Sequence, residues 1–142
     1  MHDDLVSLLY SPHRELENRV FAALAEAGFD DVTPAQARVF QLIRRNGSRL
    51  TELAVAAHVT KQTAGFLVDQ LERAGYVERT PDPTDARARL IRVAERGARA
   101  VPVGRAAVAQ VEREWTAHLG QRRMAALHDA LTRLREITDP YA

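Results

Sequence analysis

Residues 48–93 decide the fold of this chain, and they read SRLTELAVAAHVTKQTAGFLVDQLERAGYVERTPDPTDARARLIRV. A short helical pattern, which Ser48 can cap, is followed by a turn at 58–60 and by a second helical pattern that runs to Gly75. Two alternating stretches of β-formers then flank a turn at 81–85 that is rich in Pro and Asp. This order predicts a helix-turn-helix unit followed by a β-hairpin.

Helical patterns also flank this stretch on both sides. Four more helices are predicted, at residues 5–27, 34–46, 95–120 and 121–138. The third of them repeats apolar residues every seven positions, at Val101, Val108 and Trp115. That spacing lets one helix pack along another, within the chain or in a second copy. The predicted fold is therefore mainly α, with one small hairpin.

The composition narrows the possible functions. The chain has no cysteine, which excludes disulfides, thiolate zinc sites and a cysteine nucleophile. Its five histidines have no metal-ligand spacing, and no serine or threonine stands in a motif that pairs it with His and Asp. We therefore expect no metal, no cofactor and no enzymatic activity.

The charge of the chain is nearly balanced. Twenty basic and 19 acidic residues give a formal net charge of +1, whereas a nucleic-acid-binding domain is usually strongly basic. The distribution of charge can matter more than the sum, so DNA binding stays open. No apolar run is long enough to cross a bilayer, and no secretory leader follows the acidic start. We expect a cytoplasmic protein without a membrane partner.

The second helix of the unit, residues 60–74, has the features of a helix that reads DNA. Its inward stripe is apolar, and its first residues would face base edges in the major groove. Gln62 suits a bidentate contact with adenine, Lys61 suits guanine or phosphate, and Thr63 can contact either kind of group. Phe66 can touch a thymine methyl group. The simpler alternative is a packing module whose polar face is only solvated.

The turn of the hairpin carries Asp85 and Arg87, and Arg89 follows just beyond it. An exposed hairpin tip with an arginine can enter a narrow minor groove, where the negative potential is deepest. Asp85 can pair with Arg87 and hold its guanidinium in position. The alternative interpretation is a surface ion pair of small energetic value, about 0–1 kcal/mol.

Taken together, residues 33–97 resemble the MarR family of bacterial regulators. The matching segments are TPAQ at 33–36, LTELA at 50–54, TKQT at 60–63, LVDQLERAGYVER at 67–79 and DPTDAR at 82–87. Each segment alone is a weak signal, whereas the set in this order is specific. By the order of its elements, the resemblance covers the whole chain.

The resemblance implies a winged helix-turn-helix fold with N- and C-terminal dimerisation helices. Residues 1–32 would form the first dimerisation helix, 33–93 the DNA-binding lobe and 94–142 the last two helices. Within the lobe, the helix 60–74 would be the recognition helix and the hairpin 76–93 the wing. Family members often repress a nearby operon and release DNA when a small aromatic acid or drug binds between the lobe and the dimerisation helices.

Residue by residue, the resemblance places DNA contacts on the recognition helix and the wing. The predicted DNA-binding residues are Thr60, Lys61, Gln62, Thr63, Gly65, Phe66, Arg73, Arg79, Asp85, Arg87 and Arg89. Of these, Arg73, Arg79 and Arg89 are expected either to contact phosphates or to form ion pairs within the protein. Gly65 and Phe66 depart from the family, which often has a hydroxyl residue and an arginine there. His58 stands in the turn where the family often has glycine.

Three residues outside the lobe are candidates for an effector pocket. Trp115 lies on the apolar seam of the long helix, where it is core or dimer interface or walls the pocket. His13 and Arg14 can meet an anionic effector, although such residues are commonly only solvated.

The sequence thus predicts a dimeric repressor that binds double-stranded DNA and is released by an effector. A dimer with two recognition helices would bind a near-palindromic operator whose half-sites lie about 34 Å apart. The alternative is a winged-helix protein-interaction module that recruits a helical partner through residues 101–118, which the near-neutral charge favours.

Overall fold

A computed structural model describes residues 3–139 and 141 of the chain. Its elements are α1 (Leu5–Glu26), α2 (Pro34–Gln41), α3 (Leu50–Ala57), α4 (Lys61–Arg73), β1 (Val77–Asp82), β2 (Asp85–Val93), α5 (Glu95–Leu119) and α6 (Gln121–Thr138). The strands β1 and β2 form one antiparallel two-stranded sheet. The predicted mainly α winged helix-turn-helix fold is therefore confirmed.

The core of the lobe forms around the inward face of α4. This face is apolar at helical spacing, and its four side chains are buried: Ala64, Leu67, Val68 and Leu71. The three larger of these side chains belong to a cluster that also includes Leu53 of α3, Val39 of α2 and Ile91 of β2. Burial of one face of α4 leaves the opposite face in solvent, so packing alone fixes which side chains of α4 are available to a partner.

The lobe is joined to the long helix α5 through a tight contact and an ion pair. Gly97 lies against the carbonyl oxygen of Tyr76, and an added Cβ there would overlap that oxygen. Arg96 donates to both carboxylate oxygens of Asp31, at 2.7 and 3.0 Å, and its guanidinium lies 4.4 Å from the centre of the Tyr76 ring. The Tyr76 hydroxyl donates to the same carboxylate at 2.5 Å.

Helices α1 and α5 pack along each other, and α6 packs on α5. No residue of α6 is buried, and its apolar side chains Leu127, Leu131, Leu134 and Ile137 are exposed. The start of α1 exposes Leu5, Val6, Leu8, Leu9 and Tyr10 in the same way. Such stripes are typical of helices that a second copy covers. The predicted dimer and the division at 32 and 93 remain predictions.

The structure corrects the predicted end of α2. The helix ends at Gln41 rather than near 46, because the amides of Leu42 and Ile43 bond to Val39 and Phe40 in a tighter final turn. The chain then turns through Gly47, whose φ of +94° favours glycine.

Ser48 has a different role from the one expected. It does not cap α3, which begins after Arg49, and it is buried instead. Its backbone exchanges two hydrogen bonds with Ile91 of β2, at 3.0 and 2.8 Å, and its hydroxyl accepts from the Arg44 amide at 2.9 Å. Ser48 thus adds a bridge that fastens the wing to the start of the helix-turn-helix.

The wing is also longer than the sequence predicts. Its strands pair from Val77 and Val93 outward to Asp82 and Asp85, so the turn shrinks to residues 83–84. Within the described residues, no helix combines the length and apolar character required to cross a membrane.

Candidate nucleic-acid interface

The outward face of α4 is the centre of the candidate interface. Four exposed side chains lie directly opposite the buried stripe: Gln62, Phe66, Asp69 and Arg73. Their spacings of four, three and four residues place them on one face of the helix. Gln70 is turned away from this face, because its side-chain oxygen accepts from Gln36 of α2 at 2.9 Å. The face therefore combines an amide, an aromatic ring, a carboxylate and a guanidinium.

The first turn of α4 presents polar side chains without an acidic residue. Lys61, Gln62 and Thr63 are exposed, and the first turn contains no carboxylate. The Thr60 hydroxyl accepts from the Thr63 amide at 3.1 Å and donates to the Thr63 hydroxyl at 3.0 Å, so Thr60 serves as the helix cap. The positive end of the helix dipole and Lys61 together favour an approaching phosphate.

The turn between α3 and α4 depends on His58. This residue has φ 57° and ψ 42°, the left-handed conformation in which the family often has glycine. Histidine is among the non-glycine residues that adopt this region more readily than most. The Val59 amide bonds to the Ala54 carbonyl at 3.0 Å and closes the turn.

The wing places two arginines in solvent. Arg87 and Arg89 are exposed, and neither guanidinium has an ion-pair partner in the part of the chain that the structure describes. Arg89 pairs with Pro81 across the sheet, so it lies on the same face of the wing as Arg79. The Arg79 side chain reaches Asp69 of α4 from this face. Unpaired arginines beside the outward face of α4 are free to meet phosphate or a groove.

The expected pair between Asp85 and Arg87 is wrong. The Asp85 carboxylate accepts from the backbone amide of Arg87 at 3.0 Å, and no ion pair joins the two side chains among residues 3–139. Asp85 therefore shapes the backbone at the turn and leaves the Arg87 guanidinium unrestrained.

Arg79 forms ion pairs within the protein. Its guanidinium donates to Glu72 at 2.7 Å and to Asp69 at 2.8 Å, both on α4. These contacts bind β1 to the recognition helix. They also offset two carboxylates that would otherwise repel phosphate near the interface. Arg73, by contrast, is exposed and has no ion pair within the described chain.

An ion pair between the buried Asp82 and the partly exposed Arg49 holds the wing to the helix-turn-helix. Asp82, which is 7% exposed, is the only buried charged side chain among the described residues. It accepts from Arg49 Nε and Nη2 at 3.0 and 2.8 Å, and from the Thr84 amide and hydroxyl at 2.8 and 2.7 Å. The bonds from Thr84 and then Arg49 lower the pKa of Asp82 from its ordinary 3.8 to about 2.

The sequence did not reveal this pair, because Arg49 and Asp82 are 33 positions apart. Asp82 was predicted within a polar turn, and Arg49 looks like any solvated helix-start residue. The only local signal is the Asp-Pro-Thr segment at 82–84, in which an Asp can accept hydrogen bonds from the residue two places on.

The predicted effector residues are separated in the structure. His13 and Arg14 line an open cleft of about 1220 Å³ between α1, α2 and α5, whereas Trp115 is not among its lining residues. The floor of the cleft is apolar, with Leu24, Phe40 and Val101, among others. Across its mouth, Arg38 donates to Glu17 at 2.8 Å, and this contact lowers the pKa of the Glu17 carboxyl.

The charges around the cleft are mainly positive. Its lining includes six arginines and two glutamates: Arg14, Arg38, Arg44, Arg45, Arg92, Arg105, Glu17 and Glu112. Elsewhere, no group of three or more His, Cys, Asp or Glu side chains that could hold a metal ion occurs within residues 3–139 and 141.

These features define a winged helix-turn-helix protein with an exposed recognition helix. Comparison with known proteins shows a similarity to one family: residues 30–88 match the model described as the MarR family. The resemblance inferred from the sequence is thereby confirmed for the lobe, over residues 30–88. A search of curated protein sequences finds no match.

Solved structures match over nearly the whole chain. CouR from Rhodococcus jostii RHA1 bound to p-coumaroyl-CoA is 26% identical, with a TM-score of 0.73 over 97% of this chain and 94% of that one. CouR, a transcriptional repressor, bound to a 23-mer DNA duplex is 25% identical, with a TM-score of 0.70 over 93% and 92%. Wild-type apo MarR from E. coli is 26% identical, with a TM-score of 0.69 over 92% and 96%. These matches support a DNA-binding transcription regulator as the class of function.

The Asp82 pair generates a pH-dependent prediction. Because the folded pKa of Asp82 lies below its ordinary value, the carboxylate stabilises the fold above about pH 4, and this contribution is lost as the pH falls toward 2. Asp82→Asn should therefore lower the free energy of unfolding at neutral pH, with a deficit that shrinks between about pH 4 and about pH 2. Urea unfolding of both proteins across this range measures the deficit.

Asp129→Asn is the control for this experiment, because Asp129 is an exposed carboxylate of α6. Its difference from the wild type should stay small at every pH. A deficit of Asp82→Asn that is the same at low and neutral pH would show that the charge of Asp82 does not stabilise the wing.

Proposed function

We propose that this chain is a sequence-specific transcriptional regulator that binds double-stranded DNA as a homodimer in the cytoplasm and has no enzymatic activity. The observation that carries the proposal is the exposed polar face of α4 beside the unpaired wing arginines Arg87 and Arg89. The ion pair of Arg49 and Asp82 supports it, because that pair fixes the wing relative to the start of α3.

In the proposed complex, α4 enters the major groove by its N-terminal end. Gln62 offers donor and acceptor atoms that match an adenine edge, while Lys61 and Thr63 reach guanine or phosphate. Arg87 enters the neighbouring minor groove, and Arg73 and Arg89 neutralise phosphates. Thr60 contributes by capping the helix rather than by touching a base.

Two copies are needed to place two recognition helices on one duplex. The exposed apolar stripes of α1 and α6 offer a surface for this association. A two-fold dimer would present its α4 helices to half-sites one helical turn, about 34 Å, apart. The operator would then be nearly palindromic.

We further propose that the regulator is a repressor released by an anionic amphipathic effector in the cleft of α1, α2 and α5. An apolar floor and six arginines against two glutamates suit an aromatic ring that carries a carboxylate or phosphate. The CouR complex with p-coumaroyl-CoA shows that a related fold accepts such a molecule. Release requires the effector to bind better to a dimer whose recognition helices are wrongly spaced for DNA.

The wing gives the first test of DNA binding. Arg87→Ala should weaken binding to duplexes of mixed sequence and reduce the slope of log K against log salt by about 0.9, the value of one phosphate. The matched control is Arg133→Ala, which removes an exposed arginine of α6, outside the helix α4 and the wing. Fluorescence anisotropy over a salt titration measures both slopes.

If Arg87→Ala and Arg133→Ala have the same salt slope, the wing takes no part in binding. Wild-type binding to duplex DNA that is absent, or that lacks salt dependence, would contradict the proposed function and favour the protein-interaction module instead.

The cleft gives a second test. Aromatic carboxylates and p-coumaroyl-CoA, screened as probes, should include a compound that raises the melting temperature and lowers DNA affinity. Arg14→Ala should weaken binding of that compound about 10- to 150-fold, because a charge-assisted hydrogen bond contributes about 1.5–3 kcal/mol. DNA affinity without the compound should stay unchanged. A compound that binds without changing DNA affinity would refute release by the cleft.

A further inference from the structure

Phe66 is an exposed aromatic side chain on the recognition helix. Its side chain is 60% exposed, and the only other large apolar residue exposed within residues 33–93 is Val55, at 51%. The remaining exposed apolar side chains lie on α1, on α6 and at Tyr141. A second copy bound to the terminal helices would cover most of those, but it offers no explanation for Phe66.

Among the described residues, Phe66 belongs neither to the core cluster of the lobe nor to the side chains packed against it. The aromatic contacts of the described residues join Phe29 and Phe40 to Tyr76, on the other side of the lobe core, and do not include Phe66. Its neighbours along the outward stripe, Gln62 and Asp69, are polar. Complete burial of a phenylalanine side chain contributes about 1.5–3 kcal/mol, and because Phe66 is 60% exposed, most of this free energy is left for a partner outside the chain to supply.

The position of Phe66 identifies the kind of partner. It lies one helical turn after Gln62, on the line that runs directly opposite the buried stripe of α4. If Gln62 faces a base edge, Phe66 faces the same groove about 6 Å further along the helix axis. The apolar group that DNA presents in the major groove is the C5-methyl group of thymine.

We propose that Phe66 is a specificity-determining residue that reads a thymine C5-methyl group by apolar contact in the major groove. The proposal rests on the proposed function and names one chemical group within it. Gly65 fits this role, because a Cβ at that position would make only ordinary contact, 3.6 Å from Leu50 Cδ2. The core therefore does not demand glycine there, and its absence of a side chain leaves the Phe66 ring unobstructed on that side.

Deoxyuridine tests the contact, because it differs from thymidine only by the missing methyl group. The duplex used is one that the wild type has enriched from a random pool. Each thymine of this duplex is replaced in turn by deoxyuridine, at the equivalent position of both half-sites. At one symmetric position the affinity of the wild type should fall about fourfold per half-site, the value of one buried methyl group, and so about 15-fold for the pair. Phe66→Ala should bind the thymine and deoxyuridine duplexes equally.

Three further arms make this result specific. Phe66→Leu keeps an apolar side chain and should retain the preference for thymine. Val55→Ala, the matched control for loss of an exposed apolar residue of the lobe, should respond to deoxyuridine as the wild type does. Cytosine and 5-methylcytosine are also compared at the same position, because they differ only by the methyl group. The wild type should bind the duplex with 5-methylcytosine about fourfold more tightly than the one with cytosine, and Phe66→Ala should bind the two equally.

The inference is overturned if the wild type enriches a sequence in which no thymine methyl group affects binding, or if Phe66→Ala keeps the full dependence on the methyl group. A dependence retained by Phe66→Ala would point to another side chain, and a loss equal on all duplexes would point to a protein contact of Phe66 or to folding. A wild type that enriches no sequence would instead refute the proposed function, and this inference with it.

Discussion

The ion pair between Arg49 and Asp82 is the contact on which the functional surface depends. One partner begins the first helix of the helix-turn-helix, and the other ends the first strand of the wing. A buried carboxylate is costly unless it is fully paired, and Asp82 meets this condition with bonds from Arg49 and from Thr84. The wing is thereby fixed in place although its sheet has only two strands, which would be marginal alone.

The second constraint is the apolar face of α4, because its burial determines which side chains face outward. Arg79 then joins the wing to α4 through Asp69 and Glu72, so that helix and wing present one surface. At the other end of the lobe, Arg96 joins the start of α5 to Asp31. The recognition surface and the long helices are therefore connected by specific contacts rather than by a loose linker.

The sequence predicted the elements whose signals are local. The recognition helix has a capping Thr60 and a clear apolar period, and the structure places its bounds at Lys61–Arg73; α6 agrees with its predicted range. Signals that depend on distant partners could not be read in this way. The hydroxyl of Ser48 looked like a helix cap, but pairing with Ile91 buries it.

In the candidate site too, the sequence revealed local features and missed contacts between distant residues. The exposure of the first residues of α4 and of the wing arginines followed from periodicity, whereas the partner of Asp82 and the orientation of Asp85 did not. Asp85 and Arg87 are close enough in sequence to suggest an ion pair, but the backbone amide of Arg87 satisfies the carboxylate first. Trp115 shared a seam with apolar residues, yet the cleft forms further along the helices.

Sequence-specific binding by a dimer is tested most directly by selecting wild-type binding sites from a random pool of duplex DNA at two salt concentrations. A dimer that reads DNA through two α4 helices should enrich a near-palindrome whose half-sites lie one helical turn apart, and its affinity should fall as salt rises. Weak binding at low salt that disappears at higher salt, with no enriched sequence, would leave only general electrostatic attraction and would contradict sequence-specific regulation.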